Sequence, residues 1–250
     1  MDLVIAGAGP AYSDRRGSVG AAYVLVHDGR SIVLDLGHGA YAGVAGIVEP
    51  ADLDGVVISH LHPDHFVDLV PLRHYLRYEF EPPRRVRVIA PAGLDRRLDD
   101  LHAEPGFTRA SLDVDALRPG MWQVGPFAVE ARRVTHTDDS YAFRVTPADA
   151  VEGPGLVYSG DCGHGEDLLP LIRPGDALLA EASFGTGPVP VDDMHLDAPA
   201  VARVAAASGA GRVLLTHVLA TYDVAAVVAS VQAGYDGPVA IVEPGDRFTV

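Results

Sequence analysis

Lysine and asparagine are absent from this 250-residue sequence, and it has only one cysteine, Cys162. A single cysteine excludes an internal disulfide framework and any zinc site built from several thiolates. Because lysine is missing, all 19 basic residues are arginines, and 34 acidic residues leave a formal net charge of −15. That acidic balance argues against a protein that binds nucleic acid over a broad face.

Long hydrophobic runs are also missing. No apolar stretch approaches the roughly 18–20 residues that span a bilayer. The N-terminal residues MDLVIAGAGP carry no basic region before their apolar part, which predicts a first strand instead of a signal peptide. A hydrophobic content of 48% excludes a disordered chain. We expect a cytoplasmic globular protein with one domain over residues 1–250.

Short apolar runs alternate with helix-like segments along the chain. In each half several strands come first and strands then alternate with helices, which predicts an α/β protein of four layers, with two αβ halves packed sheet to sheet and helices outside. Segments 9–18 and 183–195 lack periodicity and are candidate loops at the rim of a site. Predicted strands cover residues 2–6, 21–26, 31–36, 55–59, 86–90, 126–134, 141–146, 155–159, 176–181, 212–216, 238–243 and 246–250. Predicted helices cover residues 65–79, 94–103, 165–172, 198–207 and 223–232.

Histidine is unusually frequent, with 11 residues. Directly after the predicted strand GVVIS, four metal-binding side chains lie within six residues: His60, His62, Asp64 and His65. Alternate residues leaving a strand point the same way, so His60 and His62 can meet one cation, and the turn that follows brings Asp64 and His65 to a point nearby. These ligands suit Zn²⁺, with Mn²⁺ and Fe²⁺ as alternatives. Four ligands are more than one four-coordinate ion normally takes from a single segment, which indicates two divalent metal ions.

The segment His60-Leu61-His62-Pro63-Asp64-His65 resembles the HxHxDH motif of the metallo-β-lactamase fold, and the resemblance covers nearly the whole chain. It implies an αββα sandwich of two mixed sheets packed face to face. Later ligands of that family follow strands, and matching positions exist further along this chain. The resemblance assigns one metal to His60, His62 and His136 and the other to Asp64, His65 and His217, with Asp161 bridging the two.

Within that superfamily the sequence is most similar to the tRNase Z-like branch. The branch has an acidic residue after a strand and then a histidine ahead of an alanine-rich helix, which Glu181 and His195 match here. The resemblance implies that His195 contacts the scissile phosphate or protonates the leaving oxygen, and that Glu181 orients it.

Other positions point to supporting roles. Asp35 matches the aspartate-glycine loop of the family, which braces the loops that carry the ligands. Cys162 follows Asp161, where a small residue behind the metal is expected. The roles of His38 and His164 stay open.

Two cations about 3.5–4 Å apart would bridge a hydroxide at neutral pH and polarise a substrate oxygen, with Asp64 orienting the hydroxide. True tRNase Z enzymes carry a long arm that clamps tRNA, and in the bacterial type the arm falls between the third ligand histidine and the bridging aspartate. This chain has only residues 137–160 there. We therefore expect a phosphodiesterase of small substrates such as cyclic nucleotides, with no membrane or nucleic-acid partner, and leave a homodimer open.

Three alternatives remain at this point. The same metals would serve a hydrolase of lactones, thioesters or β-lactams, in which His195 would contact an oxyanion. A tRNA 3′-processing endonuclease is the second alternative, and a metal-binding protein that has lost catalysis is the third.

Overall fold

The computed structural model describes residues Met1–Val250 and contains fourteen β-strands and six α-helices. The strands are β1 (Asp2–Gly7), β2 (Ala22–His27), β3 (Arg30–Leu34), β4 (Gly55–Val57), β5 (Val86–Ala90), β6 (Leu112–Ala116), β7 (Gly120–Val124), β8 (Phe127–Val134), β9 (Ser140–Pro147), β10 (Leu156–Tyr158), β11 (Ala177–Glu181), β12 (Arg212–Thr216), β13 (Val239–Ile241) and β14 (Arg247–Thr249). The helices are α1 (Tyr41–Ile47), α2 (Pro63–Phe66), α3 (Leu69–Tyr78), α4 (Leu94–His102), α5 (Ala198–Ser208) and α6 (Val224–Gln232).

The strands form two mixed sheets of seven strands each. The first has the order β14-β1-β2-β3-β4-β5-β6 and the second β13-β12-β11-β10-β9-β8-β7. In each sheet one part is antiparallel and the other parallel: the pairs from β3 to β6 and from β10 to β13 run parallel. Parallel strands place their carboxyl ends, and the loops that follow them, at one edge of a sheet.

Apolar side chains fill three layers between these elements. The central layer lies between the two sheets, where the rings of Tyr23 and Tyr158 approach to 4.9 Å between centroids. Helices α1, α3 and α4 cover the outer face of the first sheet, and α5 and α6 cover that of the second. The predicted αββα sandwich is therefore confirmed. No helix is both long enough and apolar enough to cross a membrane.

Some local predictions were wrong. The helix predicted over residues 65–79 is two helices, α2 and α3. The helix predicted over residues 165–172 is only a 3₁₀ turn at Gly165–Leu168, because Pro170 cannot donate the backbone hydrogen bond that a longer helix needs. Helix α1 was missed because its two glycines have low helix propensity. Strands β6 and β7 were missed because they are largely exposed sheet edges without a clear apolar run.

Candidate metal centre

Loops that follow six strands meet at one end of the sandwich. Each loop begins where a strand ends, so the parallel parts of both sheets deliver their polar residues to the same place. The residues concerned are Asp35 after β3, the segment 60–65 after β4, His136 after β8, Asp161 after β10, Glu181 at the end of β11 and His217 after β12. All seven predicted metal ligands lie in this set, and the structure brings them together.

The ligand atoms form two clusters that share one carboxylate. The first consists of His60, His62, His136 and Asp161, and the second of Asp64, His65, His217 and Asp161. One oxygen of Asp161, Oδ2, lies 3.7 Å from Nε2 of both His60 and His136. The other oxygen, Oδ1, lies 3.4 Å from Nε2 of His65 and 3.8 Å from that of His217. Asp161 therefore faces each cluster with a different oxygen, as a bridging ligand does.

These spacings fit divalent cations. Two ligand atoms at roughly 2.1 Å from a tetrahedral ion are separated by about 3.4 Å. In the second cluster, Oδ2 of Asp64 is 3.1 Å from Nε2 of His217 and 3.4 Å from Nε2 of His65. The Nε2 atoms of His60 and His65 are buried and have no hydrogen-bond partner. Since buried polar atoms are almost always paired, these two nitrogens point to cations as their partners.

Hydrogen bonds at the far side of each ring select the nitrogen that faces the centre. Nδ1 of His60 donates to Ser59 Oγ (3.1 Å), and Nδ1 of His65 donates to Asp35 Oδ2 (2.7 Å). Nδ1 of His136 donates to the carbonyl oxygen of Met194 (2.7 Å). In all three histidines Nε2 is left for a metal, which is the arrangement that orients histidine ligands in metalloproteins. In His62 it is Nδ1 that lies nearest the cluster, 3.1 Å from His136 Nε2.

The electrostatics of the site favour positive charge. Burial alone would raise the pKa of Asp161, but the surrounding histidines hold it well below its usual range. Burial and the charge of His65 lower the pKa of His60 well below its usual value, which leaves a neutral imidazole. Burial would also lower the pKa of His65, but Asp161 and Asp35 raise it well above its usual value. The negative field that attracts a proton to His65 attracts a cation equally, and a bound metal displaces that proton.

Asp35 braces the loops, as the resemblance implied. It is fully buried, and its two oxygens accept hydrogen bonds from Ser59 N–H (2.6 Å), Ser59 Oγ (2.7 Å), His65 Nδ1 (2.7 Å) and Tyr158 OH (2.6 Å). Asp35 and His217 have φ angles of 56° and 57°, in the left-handed region that non-glycine residues rarely adopt. Such backbone strain concentrates at functional sites, where surrounding contacts hold it in place.

His195 and Glu181 form a hydrogen-bonded pair beside the clusters. Nδ1 of His195 donates to Oε1 of Glu181 at 2.9 Å and lies 3.9 Å from Asp161. Burial would lower the pKa of His195, but the hydrogen bond and charge of Glu181 outweigh it and raise the pKa to about 9. His195 lies in the loop ahead of α5, which begins at Ala198. The pair leaves Nε2 of His195 available to a substrate.

Ser183 is a site residue that the sequence reasoning missed. Its hydroxyl donates to Oε2 of Glu181 at 2.5 Å and accepts a hydrogen bond of 2.9 Å from Nδ1 of His217. Ser183 therefore orients His217 by accepting a hydrogen bond from its Nδ1, as Asp35 orients His65. Tyr158 was missed as well, because its hydroxyl reaches Asp35 from a strand 123 residues further along the chain. The only signal for Ser183 was its position two residues after Glu181.

Three candidates from the sequence remain, and they lie in different surroundings: Cys162, His164 and His38. Cys162 is buried behind the centre, where burial and Glu181 raise the pKa of its thiol far above the usual value and so keep it unreactive. His164 lines a cavity of about 520 Å³ that also includes His195 and Arg203. His38 lies close to Gly20, near the backbone oxygen of Asp64, and does not belong to either cluster.

The αββα sandwich and the two clusters define a metal-binding hydrolase of the metallo-β-lactamase fold. Residues 33–218 match the family model described as beta-lactamase superfamily domain. The chain belongs to this superfamily of metallo-hydrolases.

Related sequences extend over most of the chain. The uncharacterized protein ML1173 of Mycobacterium leprae is 31% identical over 242 residues, which are 93% of this chain and 83% of ML1173. The Bacillus subtilis protein named probable metallo-hydrolase YhfI is 25% identical over 198 residues, 79% of each chain.

Solved structures share the fold over almost the full length. The crystal structure of YhfI has a TM-score of 0.87 at 20% identity and covers 99% of both chains. A diphosphatase from the PhnP family has a TM-score of 0.78 at 15% identity, covering 100% of this chain and 97% of the other. The short form of human tRNase Z has a TM-score of 0.75 at 21% identity, covering 100% and 99%. At these identities the likeness shows the fold alone.

Proposed function

We propose that this protein is a two-metal phosphodiesterase that cleaves small phosphodiesters such as cyclic nucleotides. The observation that carries the proposal is the 2.9 Å hydrogen bond between His195 and Glu181 beside the clusters. Seven other side chains offer ligands for two ions. Glu181, His195 and His217 form a third group of possible ligands, but His217 already belongs to the second cluster and Glu181 accepts hydrogen bonds from Cys162, Ser183 and His195, so we assign His195 to the substrate. A positioned, protonated histidine is the group that a poor leaving oxygen requires.

Each residue then has a defined task. Divalent cations in such a site supply Lewis acidity toward phosphoryl oxygens and lower the pKa of a water molecule. Asp64, with Oδ2 at the second cluster, accepts a hydrogen bond from the attacking water and orients it. His195 donates the proton of Nε2 to the leaving oxygen, because Nδ1 is held by Glu181 and a pKa of about 9 keeps the ring protonated at neutral pH.

Two features support a small substrate. Residues 137–160 between His136 and Asp161 hold strands β9 and β10 and their connection, which leaves no length for an arm. The formal net charge of −15 repels a long polyanion, whereas a single phosphodiester can be neutralised at the metal centre itself.

The test compares substrates on metal-loaded protein. With Mn²⁺ or Zn²⁺ added, bis(p-nitrophenyl) phosphate should be hydrolysed with a higher kcat/KM than a lactone or a thioester. His102→Ala is the matched histidine control, because His102 lies on α4, packs against Phe107 and should leave the rate unchanged. If the protein hydrolysed the lactone or the thioester but did not hydrolyse the diester, it would be a carbonyl hydrolase. If the protein trimmed pre-tRNA at a specific site as fast as it hydrolyses small diesters, the proposal that its substrates are small would be contradicted.

A further inference from the structure

A cavity of about 190 Å³, here called the mouth cavity, lies next to the metal centre. Three of its lining residues, Ser183, His195 and His217, belong to the site already described, so a substituent of a diester bound at the centre lies within reach of the cavity. The six residues that form the rest of its lining are Pro10, Ala11, Tyr12, Phe184, Asp193 and Leu219.

The walls of the mouth cavity are held in place by backbone hydrogen bonds. The loop that carries Tyr12 is closed at its base by Gly9 N–H donating to Val19 O (2.8 Å). The guanidinium of Arg15 ties the same loop to the carbonyl of Ala220 at 2.9 Å. On the opposite side, Leu219 N–H donates to Ser183 O and Phe184 N–H to Leu196 O. The cavity is therefore formed before a ligand arrives, which lowers the entropy cost of binding.

Apart from Ser183, His195 and His217, the lining is mostly apolar and aromatic, with one carboxylate. Tyr12 is 69% exposed, so its ring covers no core and offers a face to a ligand. The ring of Phe184 lies 6.1 Å from that of His195, between centroids. Asp193 is the acidic group in the lining, and its Oδ1 accepts a hydrogen bond from Met194 N–H. Its Oδ1 also lies 4.0 Å from Nε2 of His195, and its Oδ2 makes no hydrogen bond within the protein and is an acceptor for a ligand N–H.

We propose that the mouth cavity binds a nucleobase, a flat nitrogen heterocycle with an N–H donor, carried by the phosphodiester substrate. The proposal rests on the proposed function and names its substrate class. The base stacks on Tyr12, packs against Phe184 and Leu219, and donates an N–H to Asp193. Bases stack on aromatic side chains whatever their identity, because every base has a π-face.

Other substituents fit this lining less well. A second anionic group would be repelled by Asp193 and by the net charge of the chain. A sugar would find one acceptor in Asp193, but its other hydroxyls would face Pro10, Phe184 and Leu219 without hydrogen-bond partners, which costs free energy. The volume is below the roughly 300–1,000 Å³ of pockets that enclose a drug-sized ligand, which suits one ring system better than a larger substituent.

The test uses two ligands that differ only in the base, 5′-AMP and ribose 5-phosphate, in calorimetric titrations of the metal-loaded protein. Wild-type protein should bind 5′-AMP roughly 5- to 100-fold more tightly than ribose 5-phosphate, which is the range expected for one stacked base. Tyr12→Ala should remove most of this difference by weakening 5′-AMP binding alone, and Tyr12→Phe, which keeps the ring, should retain it. Phe184→Leu should weaken 5′-AMP binding as well.

Equal affinities for the two ligands in wild-type protein would overturn the proposal. So would an equal loss for both ligands in Tyr12→Ala, since that would place Tyr12 against the ribose phosphate. The readout is binding of unreactive ligands, so it is independent of turnover. Failure of the proposed function would appear separately, as absent hydrolysis of bis(p-nitrophenyl) phosphate.

Discussion

Glu181 joins the substrate side of the site to the metal side. It is 1% exposed, and its Oε1 accepts hydrogen bonds from Cys162 N–H and His195 Nδ1, while Oε2 accepts from the N–H and hydroxyl of Ser183. Ser183 in turn holds His217. One carboxylate thus orients both the proposed proton donor and, through a hydroxyl, one metal ligand. His195 and His217 nevertheless have different tasks, which single substitutions can separate.

His195→Ala should keep both metals and the fold but lower kcat by roughly 10²- to 10⁴-fold on diesters with a poor leaving group, the range of a positioned general acid. The loss should shrink for p-nitrophenyl leaving groups, which scarcely need a proton. Steady-state kinetics with two substrates and a metal assay read out both effects. Loss of metal in this variant would show that His195 is a metal ligand. An unchanged kcat on every substrate would show that His195 has no catalytic role.

Ser183→Ala should weaken metal binding at the cluster that contains His217 by about 10- to 100-fold, the usual effect of removing a group that orients a ligand. Nδ1 of His217 would lose its buried partner, so the ring would no longer be held with Nε2 toward the metal. Chelator competition on Ser183→Ala measures the two affinities separately. Ser183→Thr retains a hydroxyl and serves as the control. Equal affinities in wild-type protein and Ser183→Ala would show that Ser183 does not orient His217.

The loop after β3 and the ligand loop after β4 pack backbone to backbone. Leu36 N–H donates to His65 O at 2.7 Å, and Ala21 N–H donates to Asp64 O at 3.1 Å. Gly37 lies at this contact, where a Cβ atom would overlap the backbone oxygen of Asp64. The absence of a side chain at Gly37 therefore lets the ligand loop reach its position.

Gly37→Ala should lower the free energy of unfolding by about 1–3 kcal/mol, the typical cost of overpacking, and should reduce metal content because Asp64 and His65 would shift. Gly46→Ala is the matched control. Gly46 lies on the exposed side of α1, and a Cβ atom added there would have no neighbour within 4 Å, so alanine should stabilise the helix slightly. Thermal unfolding and elemental analysis of the two variants test this. A Gly37→Ala protein with wild-type stability and metal content would contradict the packing argument.

Features that depend on residues close together in the sequence could be predicted, whereas features that depend on residues far apart in the sequence could not. The apolar runs of β4, β10 and β12 are local patterns, so the strands and the ligands that follow them could be predicted. The family resemblance supplied the grouping into two clusters, which no local pattern contains. Ser183 and Tyr158 were not predicted because their roles depend on contacts with residues distant in the sequence, His217 and Asp35 respectively. Segment 9–18 was predicted to be a loop at the rim of a site because it lacks periodicity, but nothing local distinguishes Tyr12 from the other residues of that loop.

The whole molecule combines an acidic chain with a strongly cation-attracting centre. Both sheets direct their loops to one end, so each half contributes ligands: Asp64 and His65 follow β4 of the first sheet, while Asp161 and His217 follow β10 and β12 of the second. Binding of cations therefore ties the two halves together and should stabilise the folded chain, since an unfolded chain has no such site. Asp161 faces both clusters and therefore takes part in both links.

Metal content per chain tests the central claim, a two-metal centre bridged by Asp161, most directly. Elemental analysis of protein purified with sufficient metal should approach two divalent ions per chain, and Asp161→Ala should lose at least one of them. A fully occupied protein with one ion per chain, unchanged in Asp161→Ala, would contradict the account.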